Sequence, residues 1–156
     1  MKISAEGIAL IKRFEGCDLE AYPDPKTNGE PWTCGWGATG PEIGPDTVWT
    51  QAQADARLLE DIEQRERVIN EKVKHPMTQG QFDAFVSILF NVGHGNARRD
   101  GIIELKSGWP STLLRKFNAG DIGGAETEWM KWVSPGSSVV KGLTRRRMAE
   151  LELFRS

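Results

Sequence analysis

The sequence predicts a mostly helical α+β fold: a small N-terminal β-lobe and a larger helical lobe, joined by a long helix. Three observations predict it. Residues 17–45 are dense in Gly, Pro, Asn and Asp with aromatics spaced through them, which is the pattern of short strands and tight turns. Most of the chain beyond residue 50 carries apolar residues at helical spacing. Between the two, residues 51–73 show a narrow apolar stripe opposite a heavily charged face, as expected of a helix that bridges lobes. At 156 residues the chain is expected to be one domain, 1–156. Within it the β-lobe covers about 17–49, the connecting helix about 51–73, and the helical lobe about 76–156 together with the N-terminal helix.

The elements follow in order. Ser4 is placed to cap a first helix, in which Ile8, Ile11 and Phe14 share a face and Gly16 is the natural stop, so that Glu15 falls in the last turn. Asn28-Gly29 signals a hairpin, with Trp32-Thr33-Cys34 as its return strand. Thr50-Gln51-Ala52-Gln53 is a capping-box pattern opening the long helix. Ala52, Leu59, Ile62, Ile69 and Val73 form its apolar stripe, and Glu60, Glu63, Arg65, Glu66 and Arg67 its charged face. Thr78-Gln79-Gly80-Gln81 repeats the cap ahead of Phe82, Phe85, Val86, Leu89 and Phe90, the most apolar helix and the expected core. Residues 96–110 are a polar loop interrupted by Ile102-Ile103. Ser111-Thr112 opens a short helix to Asn118, closed by Gly120, and Asp121 caps another that runs through Trp129 and Trp132. Residues 134–142 are expected to be a loop. A last helix from Leu143 or Thr144 to Phe154 should turn Met148 and Leu151 inward.

Composition narrows the function. The net charge of -2 argues against a general nucleic-acid binder. The charge is uneven: residues 1–97 hold 9 basic against 15 acidic side chains, residues 98–156 hold 11 against 7. A basic C-terminal half suits an anionic partner such as a cell-wall polymer. Arg145-Arg146-Arg147 reads as a solvated or interlobe helix face, so no nucleic-acid partner is expected, and Trp109, Trp129 and Trp132 are assigned to core packing. Two cysteines, Cys17 and Cys34, are too few for a disulfide scaffold, and no CxxC pair suggests zinc. Reduced thiols are expected, with a single Cys17–Cys34 bond as the alternative. The N-terminus shows no signal-peptide pattern, and its apolar run at residues 8–11 is far short of a membrane span. No export signal of its own and no stable membrane insertion are therefore expected.

Three residues could carry chemistry: Glu15, Asp24 and Thr33. A carboxyl at a helix C-terminus faces the negative end of the dipole, which should raise its pKa. A general acid must stay protonated near neutrality, roughly two units above the reference. Asp24 lies between Pro23 and Pro25, which hold its backbone extended and supply no amide. Two carboxyls, one from a helix end and one from an adjoining hairpin, are the equipment of glycoside hydrolysis. One protonates the leaving oxygen, and the other activates water or stabilises the oxocarbenium-like transition state. Thr33 on the return strand is placed to orient that water.

Phe14-Glu15-Gly16, Ala21-Tyr22-Pro23-Asp24 and Trp32-Thr33-Cys34-Gly35-Trp36-Gly37 together resemble the catalytic region of phage-type lysozymes, glycoside hydrolase family 24. The similarity continues in order through Phe90-Asn91-Val92-Gly93, the run from Ser111 through Leu114-Arg115-Lys116-Phe117 to Asp121, and Gly142-Leu143-Thr144-Arg145-Arg146-Arg147-Met148-Ala149-Glu150. The resemblance implies a lysozyme-like fold and cleavage of the β-1,4 bond between N-acetylmuramic acid and N-acetylglucosamine. It places the family's Glu/Asp/Thr triad on Glu15, Asp24 and Thr33, with no metal or organic cofactor. Taken with the missing export signal, the expectation is an endolysin that accumulates as a monomer in the host cytoplasm, is released by a separate holin, and then acts on peptidoglycan glycan strands. Three features depart from the family: Ala38 stands where many relatives have His, the 96–110 loop looks long, and the net charge is low. A catalytically dead glycan-binding module, a chitinase and a lytic transglycosylase are the alternatives on the same fold.

Overall fold

The computed structural model describes residues 1–133 and 139–156. Its elements are α1 (Ala5–Glu15), β1 (Asp18–Asp24), β2 (Gly29–Gly35), β3 (Ala38–Thr39), α2 (Gln51–Lys72), α3 (Gln79–Val92), α4 (Thr112–Asn118), α5 (Ile122–Trp129) and α6 (Val139–Phe154). The α+β class with one small N-terminal sheet is as expected. The chain divides into two compact units, one of Met1–Leu10 with Arg65–Ser156 and one of Ile11–Gln64, and both α1 and α2 have residues in each.

In the Ile11–Gln64 unit the strands form an antiparallel sheet in the order β1-β2-β3. The β1–β2 hairpin turns through residues 25–28, with Asn28 at φ 52 and its N–H bonded to the Asp24 carbonyl at 2.8 Å. Asn28 alone therefore takes the left-handed conformation, and Gly29 already belongs to β2, so the tip lies one residue earlier than Asn28-Gly29 suggested. The outer edge of β1 is covered by residues 47–49, through Ala21 N–H to Thr47 O (2.9 Å) and Trp49 N–H to Leu19 O (2.8 Å). A small apolar core of Cys34, Ala38 and Ile43 lies here, with Ala21, Trp32 and Trp49 packed on it. Ala38, where a His was the family expectation, is thus a core residue. Both cysteines are free thiols. Burial pushes the Cys34 thiol above its ordinary pKa.

Thr50 and Gln53 complete the predicted capping box at the start of α2: the Gln53 N–H donates to Thr50 Oγ1 at 3.2 Å and the Thr50 N–H to Gln53 Oε1 at 2.8 Å. The buried stripe of α2 differs from the expected one. It runs Ala54, Leu58, Ile62, Ile69, Val73, while Ala52 and Leu59 are exposed. Glu66, expected on the charged face, is buried on the stripe, where it accepts the Ile3 N–H at 2.8 Å and pairs with Lys2 Nζ at 2.8 Å. That acceptor meets an amide at the chain's start which would otherwise be left unsatisfied.

The other unit is built round α3. Its N-terminus carries the Thr78–Gln81 capping box. Ser4 caps α1, its hydroxyl accepting the Gly7 N–H at 3.2 Å and donating to the buried Asp83 carboxylate. Phe85 meets Phe117 at 4.9 Å and Trp129 at 5.0 Å between ring centroids, and Phe154 closes the cluster against Trp129 at 5.3 Å. Residues 96–110 are an ordered loop: Ile102 and Ile103 are buried, and the Gly101 N–H reaches Glu104 O at 2.8 Å. Ser111 caps α4, and Gly120 follows it at φ 79, both as predicted.

Four expectations for this unit are corrected. Helix α5 stops at Trp129, and Trp132 lies in the turn beyond it. Trp109 is 68% exposed, outside any core. Of the loop expected over 134–142, residues 134–138 lie outside the described residues, and α6 already begins at Val139. On α6 the inward residues are Arg146, Arg147, Glu150, Leu151 and Phe154, whereas Met148 is exposed. The two arginines are buried because Glu150 neutralises them, with Arg147 Nε at 2.9 Å and Arg146 Nε at 3.2 Å. Trp129 Nε1 at 3.0 Å and Ser87 Oγ at 2.8 Å donate to the same carboxylate.

Candidate active site

All three predicted site residues fall within the Ile11–Gln64 unit. Glu15 is the last residue of α1. The helix stops there because Gly16 adopts φ 66, its N–H closing on Lys12 O at 3.3 Å. The half-buried Glu15 carboxyl lies against the turn between β2 and β3. A Cβ on Gly37, which sits at φ 84, would come within 3.0 Å of Glu15 Oε2. Gly37 therefore does two things a larger residue could not: it takes the left-handed backbone and lets the carboxylate approach the main chain.

Thr33 lies near the end of β2, opposite Tyr22 of β1 on one side and Thr39 of β3 on the other. Partial burial and the Asp18 charge push the Tyr22 phenol above its ordinary pKa, the neighbouring Thr33 hydroxyl opposes them, and the Glu15 charge adds to the rise. Glu15 and Thr33 thus both act on Tyr22.

Asp24 ends β1 opposite Gly29. One carboxylate oxygen accepts the Lys26 N–H at 2.7 Å, the turn-forming bond of an Asp ahead of Pro. The other faces no hydrogen-bond donor among the described residues, and Asp24 bonds neither Glu15 nor Thr33. Tyr22, two residues before it, is the link between Asp24's strand and the other two. Neither Tyr22 nor Gly37 was singled out from sequence, although both stand in the strings that carry the resemblance. The signals were there: a polar aromatic two residues from Asp24, and a Gly-x-Gly immediately after the return strand.

A groove of about 600 Å³ runs beside β2 and β3, lined by Glu30, Trp32, Thr39, Pro41 and Ile43. Its volume is in the range of small-ligand sites, and Trp32 and Thr39 are the sequence neighbour and the strand partner of Thr33. Among the described residues no group of His, Cys, Asp or Glu could hold a metal ion.

The profile of the phage lysozyme family matches residues 12–150. An endolysin of Acyrthosiphon pisum secondary endosymbiont phage 1 is 41% identical over 160 residues, covering 100% of this chain and 99% of that protein. An endolysin of Bacillus phage PZA is 38% identical across this chain, which spans only 56% of that longer protein. Among solved structures, the muramidase domain of SpmX from Asticaccaulis excentricus superposes with a TM-score of 0.80 at 33% identity, covering 99% of this chain and 98% of that one. The match covers the Glu15, Asp24 and Thr33 segments and most of both units, and the chain therefore belongs to the phage lysozyme family, as a hydrolase of the muramidase class that degrades peptidoglycan.

Proposed function

We propose that the chain cleaves the β-1,4 bond between N-acetylmuramic acid and N-acetylglucosamine, with Glu15 as general acid and Asp24 and Thr33 handling the water. Glu15 gives its proton to the glycosidic oxygen as the bond to the anomeric carbon breaks. The Asp24 carboxylate stabilises the cationic ring, or takes a proton from the attacking water, and the Thr33 hydroxyl orients that water. The outcome proposed is inversion, because a water held by Thr33 needs a gap of roughly 6.5–9.5 Å between carboxyls rather than the ~5 Å of a retaining enzyme. The observation that supports the reading is the placement of the Glu15 carboxyl against the Gly37 turn, next to the Tyr22–Thr33 pair. No step calls for a metal or a cofactor.

The test is hydrolysis of purified peptidoglycan, read as loss of turbidity and gain of reducing ends. Glu15→Gln should lower kcat by at least about a hundredfold with an unchanged circular dichroism spectrum. A folded Glu15→Gln retaining full activity would remove Glu15 as the acid. Products with anhydro ends would make the chain a transglycosylase, and binding without cleavage would make it a glycan-binding module.

The same proposal has the chain act as a monomer, without nucleic acid, and reach the wall from the host cytoplasm through a separate holin. No helix among the described residues is long and apolar enough to cross a membrane. The contrasting route is that of its relatives named SAR-endolysins, such as that of Enterobacteria phage P21, 37% identical over 78% of this chain. Expression in the cytoplasm of a Gram-negative host decides between them: lysis should require a co-expressed pore-forming protein.

A further inference from the structure

Asp55, in the first turns of α2, is not part of the triad, yet it gathers the segments that surround Glu15. Its Oδ1 accepts Trp36 Nε1 at 2.7 Å, Lys12 Nζ at 3.1 Å and Gln51 Nε2 at 3.2 Å. Lys12 also sits over the Trp36 ring, 4.9 Å from its centroid. Each partner leads to Glu15. Lys12 is three residues before it on α1, and the Lys12 carbonyl accepts the Gly16 N–H that closes the helix. Trp36 directly precedes Gly37, the residue on which a Cβ would come within 3.0 Å of Glu15 Oε2. The turn that carries Trp36 has glycines at φ 64 and φ 84 on either side of it, Gly35 and Gly37, so its conformation needs a side-chain anchor. Ala38, next in sequence, has no polar group to supply one.

We propose that Asp55 is a positioning residue of the active site: by holding Trp36 and Lys12 together it fixes the Gly37 turn and the last turn of α1 against each other, and so sets where the Glu15 carboxyl points. The idea rests on Glu15 being the acid. The three hydrogen bonds and the Lys12 charge also hold the Asp55 carboxyl below its ordinary pKa, led by the Trp36 bond and then the Lys12 bond, so the clamp is charged at neutral pH. Asp55 is 40% exposed at its side chain, so removing it leaves no buried charge behind.

A double-mutant cycle tests it, on the full chain with peptidoglycan as substrate. Asp55→Ala should lower kcat about tenfold with KM within twofold, since it displaces a catalytic group rather than a binding one. Trp36→Phe keeps an aromatic ring for Lys12 to sit over, while removing the N–H together with the pyrrole half of the indole. It should cost a comparable factor, and the double variant should be no worse than the poorer single, because both changes break one clamp. Asp55→Glu should recover part of the loss. The proposal is overturned if Asp55→Ala keeps wild-type kcat, if kcat falls only in step with melting temperature across the variants, or if the two losses multiply. Glu15→Gln, run in parallel, separates this outcome from failure of the underlying assignment: full activity there would sink the acid, whatever Asp55 does.

Discussion

The two units are held together by different means, and the difference predicts where a mutation should show. In the unit built round α3, Phe85, Phe117, Trp129 and Phe154 pack ring to ring, and a fully buried Glu150 sits among Arg146, Arg147, Ser87 and Trp129. Large volumes and desolvated charges give each of those residues several kcal/mol of leverage on stability. In the Ile11–Gln64 unit the sheet's core is Cys34, Ala38 and Ile43, and the geometry is set by polar ties. Asp55 ties Trp36 to Lys12, and Arg57 bonds the Thr39 carbonyl at 2.9 Å while pairing with Glu42 and Asp61. Such bonds are worth about 1 kcal/mol each. Damage to the first unit should be read in melting curves, and damage to the second in kcat.

The largest effect expected is at Glu150. Glu150→Ala removes the counter-charge from two buried guanidinium groups and should destabilise by about 3–5 kcal/mol in urea titration. The protein that remains folded should keep its kcat. A loss under 1 kcal/mol would mean that the arginines are solvated, one of the two readings their sequence suggested. A smaller pair sharpens the packing of α2: Leu58→Ala should cost about 2–4 kcal/mol and Leu59→Ala under about 0.5. The reverse order of costs would move the buried stripe back to the phase read from sequence.

The α2 example shows what was legible and what was not. The capping boxes at Thr50 and Thr78, the Ser4 and Ser111 caps, and the Gly16 stop were readable because each is satisfied within four residues of itself. The phase of α2 was not, because Leu58 and Leu59 are adjacent and equally apolar, and the choice belongs to whatever packs on them. Glu66 compounded the error: its burial depends on the Ile3 amide and Lys2, sixty residues away in sequence, which no local pattern records. Arg146 and Arg147 look like surface residues for a related reason: Glu150 pairs with them from the same helix, but what buries the trio lies elsewhere, with Ser87 and Asn91 of α3 accepting from the arginines and Trp129 of α5 donating to Glu150. The site followed the same rule. Glu15, Asp24 and Thr33 were named from a helix end, a Pro-bounded Asp and a return strand. Tyr22, Gly37 and Asp55 act only through contacts the fold creates.

A stability effect smaller than those of Glu150 and Leu58 carries the sharpest contrast between the units, and it uses two glycines of similar backbone. Gly37 has φ 84 and Gly120 φ 79, so Ala at either position meets a similar strain, on the order of 1 kcal/mol. Their surroundings differ. A Cβ at Gly120 would find His75 at 3.4 Å, an ordinary contact, whereas one at Gly37 would press on Glu15 Oε2 at 3.0 Å. The carboxylate must then give by a few tenths of an ångström, enough to spoil proton transfer to a bound glycosidic oxygen. Gly120→Ala and Gly37→Ala should lower the melting temperature alike, but only Gly37→Ala should lower kcat, by about tenfold, with KM little changed. Equal kcat in the two variants would show that Gly37 serves its turn alone, and that the Glu15 carboxyl tolerates displacement without cost to the chemistry.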